Sequence, residues 1–223
     1  MPSRGDELID RLRAGENDSS ANDLLTELFR GYPVESVRRL LHSDEESAVK
    51  AGAWILSELG VRAAPMMTDI VALLEHPLRY VRFFAVDAVM AGGTAEDGSA
   101  IAAAIGLIDD PDDAVRWKAL TFLAWASSEQ LAAGVEHLPP PLRDRARWLT
   151  RAVSGAVAGS DVLAALDGPD RLARLFAAAA TVRLARRDRH LLRHAAASSD
   201  AEVSSFAQEQ LESGRLPSEQ PDG

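Results

Sequence analysis

The sequence predicts an all-α protein, built as an α-α superhelix (α-solenoid) of about six helical pairs. Three observations predict this fold. A short residue frame recurs at nearly constant spacing, turn residues stand at matching places before each recurrence, and no bounded segment alternates apolar and polar residues as a β-strand does. Helical pairs repeated in this way stack on their neighbours in sequence and form an elongated array.

The recurring frame is a small apolar anchor followed by a basic residue, with a small apolar residue four positions after the anchor. Val115, Arg116 and Ala119 give its clearest form. The anchors stand at positions 49, 81, 115, 146, 173 and 203, which are 32, 34, 31, 27 and 30 residues apart. Thr150 weakens the fourth member and Ser204 the sixth. The irregular spacing after residue 126 leaves open a break in the superhelix.

Each anchor is preceded by a linker whose residues suit a helix start. Four of these linkers read HSDEES, EHPLRY, DDPDDA and DGPDRL. Asp and Ser side chains accept hydrogen bonds from free N–H groups at a helix start, Pro fits the first turn, and acidic residues favour the positive end of the helix dipole. The repeating unit is therefore a first helix (helix A), a tight turn and a second helix (helix B).

The ends of the chain fall outside the repeat. Residues 1–33 are expected to form N-terminal capping helices over 5–14 and 21–31, and residues 34–213 to form the solenoid. Residues 214–223, GRLPSEQPDG, have too little apolar content to bury, which predicts a disordered tail.

Composition narrows the class of protein. The 223 residues are 47% hydrophobic and include no cysteine, which excludes disulfides and thiolate metal sites. No apolar run is long enough to cross a membrane, so we expect a cytoplasmic protein, and the preference for Arg and Ala suggests a bacterial source. Residues 1–142 hold 12 basic and 23 acidic residues, a charge of −11, whereas 143–194 hold 11 and 5, a charge of +6. The overall charge of −10 disfavours nucleic acid as the partner.

Two stretches carry a family resemblance. DDPDDAVRWKAL and EHPLRYVRFFAVDAV resemble the short HEAT-like repeats of the phycobilin lyase-type group. The resemblance covers about residues 34–210 and is strongest over 44–126. It implies a ladder of polar contacts between stacked units, made by Asp44, Asp110, Asp112, Lys50, Arg82, Arg116, Arg147 and Arg174.

The position two residues after each anchor lies opposite the buried stripe of helix B. Three successive helices place an aromatic there: Phe83, Trp117 and Trp148. Nearby outward positions add Trp54, Val86, Asp87, Met90 and Leu120. Aromatics beside Arg on an open face are typical of protein-binding surfaces, so we expect these residues to bind a partner. A tightly curved array that buries helix B on every side would instead make them core.

The search for catalytic or metal-binding motifs gives little. His190 and His194 stand four residues apart, but without an HExxH pattern or an acidic third ligand we interpret them as exposed histidines. Phosphate-loop, dinucleotide and hydrolase-elbow motifs are absent from the sequence. We therefore expect no metal, no cofactor and no enzymatic activity.

The sequence favours a non-catalytic scaffold, adaptor or regulator that binds another protein on the concave face of a monomeric solenoid. Because residues 1–142 are acidic, the partner could be basic, as for an immunity-type inhibitor. The alternative is a HEAT-like-repeat DNA glycosylase for alkylated bases, with Asp87 as its carboxylate.

Overall fold

The computed structural model describes residues 2–16 and 19–214, and this part of the chain is helical with no β-strand. The expected tail at 214–223 lies outside the described residues except for Gly214. Fourteen α-helices occur in the described part: α1 Arg4–Arg13, α2 Ser20–Phe29, α3 Arg38–Leu41, α4 Glu46–Glu58, α5 Met67–Leu74, α6 Arg79–Gly92, α7 Gly98–Gly106, α8 Asp113–Trp125, α9 Ser128–Val135, α10 Pro140–Val153, α11 Gly159–Leu166, α12 Arg171–Leu184, α13 Arg189–Ala196 and α14 Ala201–Ser213. Three 3₁₀ segments accompany them: Val34–Val37, Gly60–Met66 and Leu107–Asp109.

The helices after α2 form six A–B pairs, which we number repeats 1 to 6. Repeats 1, 2 and 3 pair α3 with α4, α5 with α6 and α7 with α8, while repeats 4, 5 and 6 pair α9 with α10, α11 with α12 and α13 with α14. All six anchors lie in B helices, and five of them are buried; Ala173 is half-buried. The six helical pairs of the sequence prediction are confirmed.

The turns use the predicted capping chemistry in the later repeats. Asp112, Asp170 and Asp200 each cap a B helix, with a side chain that accepts hydrogen bonds from N–H groups of the first turn. In the first two repeats Glu45 and Leu78 stand at this position and make no side-chain cap.

The expected polar ladder forms at two steps. Arg82 donates to the carbonyl of His76 in its own turn (2.8 Å) and, through Nε and Nη2, to both carboxylate oxygens of Asp110 in the next turn (2.7 and 2.8 Å). Arg174 bridges the carbonyl of Gly168 (2.9 Å) and the carboxylate of Asp200 (2.8 Å) in the same way.

The other expected members of the ladder have different partners. Lys50 lies over the ring of Tyr80, Arg116 binds Glu202 of the last repeat, and Arg147 pairs with Glu136. Asp112 pairs with Arg79, and Asp44 is exposed.

The stack of B helices is regular through repeat 3 and then changes. α4, α6 and α8 pack in order, but the next neighbour of α8 is α12, and α10 packs against α12 and α9. α12 also contacts α11, α13 and α14. Its residues from Leu175 to Val182 are all buried, as expected for a helix that is covered on every side. The irregular repeats of the sequence therefore form a compact group around α12.

Candidate functional site

The outer faces of α4, α6 and α8 carry a group of aromatic and cationic side chains. We call it the aromatic–cation surface and define it by Lys50, Arg79, Tyr80, Phe83, Phe84 and Lys118. The surface lies on three consecutive B helices of the regular part of the stack.

Tyr80 is the most exposed aromatic of this surface, with 46% of its area accessible. The Arg79 guanidinium and the Lys50 ammonium each lie 4.5 Å from its ring centroid. Arg79 also donates to the Tyr80 hydroxyl (2.6 Å) and to the Asp112 carboxylate (3.1 Å). The pKa of Arg79 is raised above its ordinary value, and the hydrogen bond to Asp112 makes the largest contribution. These contacts hold the Tyr80 ring between two cations.

Phe83 is half-buried beside Tyr80. The Lys118 ammonium lies 4.4 Å from its ring centroid, and Phe84 meets it edge to face at 5.6 Å. Lys118 also pairs with the Asp87 carboxylate at 2.9 Å. The position of the Phe83 ring is therefore fixed by contacts from both α6 and α8.

A cavity of about 310 Å³ opens between the N-terminal halves of α6 and α8. Its lining residues are Arg79, Tyr80, Phe83, Phe84, Asp112 and Ala114. The volume is at the lower end of the range for small-molecule sites, and three of the six lining residues are aromatic. The cavity is thus suited to one apolar side chain of a partner.

Trp117 has a different environment from Phe83, although both stand two residues after an anchor. Phe206 of α14 packs edge to face on the Trp117 indole, with ring centroids 5.4 Å apart. Beside it, Gln210 Oε1 accepts a hydrogen bond from Trp125 Nε1 at 3.2 Å. The last helix of the chain therefore covers part of Trp117, which is half-buried.

Trp148 is half-buried on α10, which does not follow α8 in the stack. The expected row of Phe83, Trp117 and Trp148 on successive stacked helices is therefore interrupted after Trp117. The cause is the insertion of α12 beside α8, at the place where a regular solenoid would put α10.

Two of the predicted contact residues belong to the core. Val86 and Leu120 are fully buried, so the expectation that they face outward is wrong. Both stand five residues after an anchor, about 140° around the helix, on a flank that is buried. Trp54, Asp87 and Met90 are half-buried at the edge of the aromatic–cation surface.

Sequence reasoning missed Tyr80 and its cationic neighbours. The linker EHPLRY assigned Tyr80 to the turn, but α6 begins at Arg79. Tyr80 then lies about 60° from Phe83 on the helix, which a helix start placed two residues earlier would have indicated. The cover that Phe206 provides for Trp117 had no local signal, because the two residues are 89 positions apart.

Of the two histidines on α13, His190 is exposed and His194 lies beside a carboxylate. His194 Nε2 lies 2.9 Å from Asp167 at the edge of a polar cavity of about 560 Å³ between the turns of repeats 5 and 6. Within residues 2–16 and 19–214, no three His, Asp or Glu side chains form a group that could hold a metal ion. None of the helices described there is long and apolar enough to span a bilayer.

No protein-family model and no curated protein matches the sequence. Solved structures do match the fold. The archaeal HEAT-like repeats protein from Thermococcus onnurineus NA1 superposes with a TM-score of 0.51 at 12% identity, covering 95% of this chain and 99% of that one. An engineered protein gives a TM-score of 0.50 at 18% identity over 92% of this chain and 67% of that one. A designed armadillo repeat protein gives 0.42 at 19% identity over 82% and 100%. With its six helical pairs, the chain has an all-α HEAT-like repeat solenoid fold.

Proposed function

We propose that the protein is a binding scaffold without catalysis of its own, and that a partner protein docks on the aromatic–cation surface. One observation carries the proposal: Tyr80 and Phe83 are held half-exposed between cations from three consecutive B helices, beside a cavity with aromatic walls. The ladder that joins the repeats uses Arg82 and Asp110, and the exposed ring of Tyr80 and the cavity are additional to it.

The composition of the surface supports a protein partner. Tyr and Arg are enriched among the residues that contribute most to protein–protein binding. Tyr80 is already held by Arg79 and Lys50, so it loses little conformational entropy on binding. Trp54, Asp87 and Met90 border the surface and would extend the contact, whereas Trp148 lies apart from it on α10.

The charge of the chain suggests how such a partner would arrive. Residues 1–142, which contain the whole surface, have a charge of −11. A field of this sign accelerates association with a basic protein and slows the approach of nucleic acid. An inhibitor of a basic protein, of the immunity type, fits this proposal.

The glycosylase hypothesis gains no support from the site. A carboxylate that stabilises a cationic sugar must face the substrate, and Asp87 instead binds Lys118 at 2.9 Å. Asp87→Asn separates the two functions. A scaffold would lose little affinity for its partner with this change at the border of the surface, whereas an enzyme would lose base release from alkylated DNA.

The experiment that tests the proposal is affinity capture from a lysate of the source organism, followed by titration of the purified captured protein. The test variant is the double change Tyr80→Ala and Phe83→Ala. We expect its affinity to fall by about 700-fold, since two hot-spot residues at about 2 kcal/mol each would be lost. Phe29→Ala, which removes an exposed aromatic outside the surface, is the matched control and should bind normally.

Circular dichroism and the unfolding midpoint of each variant show whether it is folded. A folded double variant that binds with wild-type affinity would contradict the proposal and move the search to Trp148.

A further inference from the structure

The contact between α14 and α8 shows how a helix binds the outer face of a B helix in this molecule. Three residues of α14 that are four positions apart, Glu202, Phe206 and Gln210, form one stripe. They contact Arg116 (3.0 Å, Nε to Oε1), the Trp117 ring (5.4 Å between centroids) and Trp125 (3.2 Å, Nε1 to Oε1), respectively. A carboxylate thus meets a cation, and one turn later an aromatic meets an aromatic.

The outer face of α6 offers the same elements one repeat earlier. Phe83 stands at the position of Trp117, two residues after the anchor. Arg82 stands at the position of Arg116, but both of its carboxylate contacts are made to Asp110. The accessible cation is instead Arg79, whose side chain is 50% exposed.

We infer that the aromatic–cation surface binds an amphipathic α-helix of the partner, which offers a carboxylate and, one turn later, an aromatic side chain. The inference rests on the proposed function and specifies the partner. The partner's aromatic side chain enters the 310 Å³ cavity between Tyr80, Phe83 and Phe84. Its carboxylate lies against Arg79 and Lys50, which gives the contact charge complementarity.

The architecture favours a helix over other partner segments. Binding by strand addition needs an open sheet edge, and the described part of the chain contains no strand. Ridges of side chains on neighbouring helices form grooves that accept another helix, which binds through side chains three or four positions apart on one of its faces. α14 already binds with this spacing.

The probe is a peptide with the sequence of residues 199–213, constrained as a helix by a side-chain cross-link on its solvent-facing side. It is titrated by fluorescence anisotropy into the full-length protein and into its Phe83→Ala variant. Two altered peptides carry Phe206→Ala or Glu202→Gln. Phe29→Ala of the protein is the matched control, because it shortens an exposed aromatic on α2.

We expect saturable binding that weakens about tenfold with Phe83→Ala in the protein or Phe206→Ala in the peptide, as for the loss of one aromatic contact. The two changes together should weaken binding by less than the product of the single effects, because the two rings contact each other. Glu202→Gln should weaken binding less and should reduce its salt dependence. Phe83→Leu, which removes the ring but keeps an apolar side chain of more similar size, replaces Phe83→Ala if that variant is not folded.

Absence of saturable binding would overturn the inference. Binding that is unaffected by Phe83→Ala would also overturn it, because the peptide would then be displacing α14 from α8. Neither result contradicts the proposed function. The proposed function is contradicted only if the captured partner binds the Tyr80→Ala, Phe83→Ala variant with wild-type affinity.

Discussion

Repeats 1 to 3 and repeats 4 to 6 are built from the same helical pair but assemble differently. In the first group the B helices stack in sequence order, whereas in the second α12 takes the place beside α8 and α10 lies on its far side. The outer face of α6 stays half-exposed, and that of α8 is partly covered by α14. The repeat frame therefore specifies the helical pair, while contacts between residues distant in sequence specify how the pairs stack.

The fourth linker lacks a carboxylate that the polar ladder uses in the regular group. Arg82 reaches Asp110, which stands five residues before the next anchor. The equivalent acceptor for Arg116 would be residue 141, where the chain has proline. Without a carboxylate there, Arg116 binds Glu202 of repeat 6, which Arg171 also contacts at 2.9 Å. The polar ladder therefore passes from repeat 3 directly to repeats 5 and 6.

The largest expected effect comes from breaking the ladder in the regular group. Asp110→Ala leaves the Arg82 guanidinium in a site where its side chain is only 12% exposed. Removing one partner of a buried ion pair costs about 3–5 kcal/mol of unfolding free energy. Urea denaturation measures this loss.

The matched control is the exposed pair of Arg147 and Glu136 in repeat 4. Glu136→Ala should change stability by no more than about 1 kcal/mol. If Asp110→Ala were as mild as this control, the ladder would not be what holds the regular repeats together.

The second prediction concerns the compact group. Ala179 on α12 has no accessible surface, so Ala179→Leu forces extra volume into a helix that is enclosed on all sides. Overpacking of this kind costs about 1–3 kcal/mol. The same substitution at Ala91 on α6, which is exposed, should leave the unfolding free energy within about 0.5 kcal/mol of wild type. Equal tolerance at the two positions would mean that repeats 4 to 6 are packed loosely.

Much of this architecture could be predicted from the sequence, because the frame around Val81 or Val115 depends only on neighbours along the chain. The caps at Asp112, Asp170 and Asp200 could be predicted for the same reason. The arrangement after repeat 3 could not. Arg183 donates to the carbonyl of Ala126 (2.7 Å), 57 residues away, and no local pattern encodes such a contact.

The candidate site could also be predicted only in part, because its exposure depends on helices that are not adjacent in sequence. Helical periodicity predicts an outer face for both Phe83 and Val86. Periodicity gives the angle of a residue around its own helix, but it does not give the position of the neighbouring helix. Val86 is fully buried, on a helix that packs against both α4 and α8. Tyr80 was missed because the helix start was placed beyond it.

A third prediction uses pH to test the ladder in the compact group. Burial raises the pKa of Asp200. Hydrogen bonds from Arg174 and from the Val203 and Glu202 N–H groups lower it by a larger amount, so the pKa lies below its ordinary value of 3.8. A lowered pKa in the folded state contributes stability that is complete above pH 3.8 and is lost as pH falls through the folded pKa.

The wild type should therefore lose more unfolding free energy between pH 5 and pH 3 than Asp200→Asn, as measured by urea midpoints at both values. The effect should be smaller than that of Asp110→Ala, because the pair of Arg174 and Asp200 is more exposed. Identical pH dependence for wild type and Asp200→Asn would contradict the assignment.

The smallest expected effect on stability comes from the cations of the aromatic–cation surface. Lys118→Met keeps the aliphatic stem but removes the ammonium over Phe83 and the ion pair with Asp87. Partly exposed interactions of this kind contribute about 0.5–1 kcal/mol. Lys50→Met, at the more exposed stacking contact on Tyr80, should cost less. A measurable loss only for Lys118→Met would mean that the Phe83 ring is held in position before any partner arrives. No loss of unfolding free energy for either variant would mean that the cations are free to exchange their aromatic contacts for those of a partner. The outer face of α6 would then be adaptable, whereas the outer face of α8 is fixed by α14.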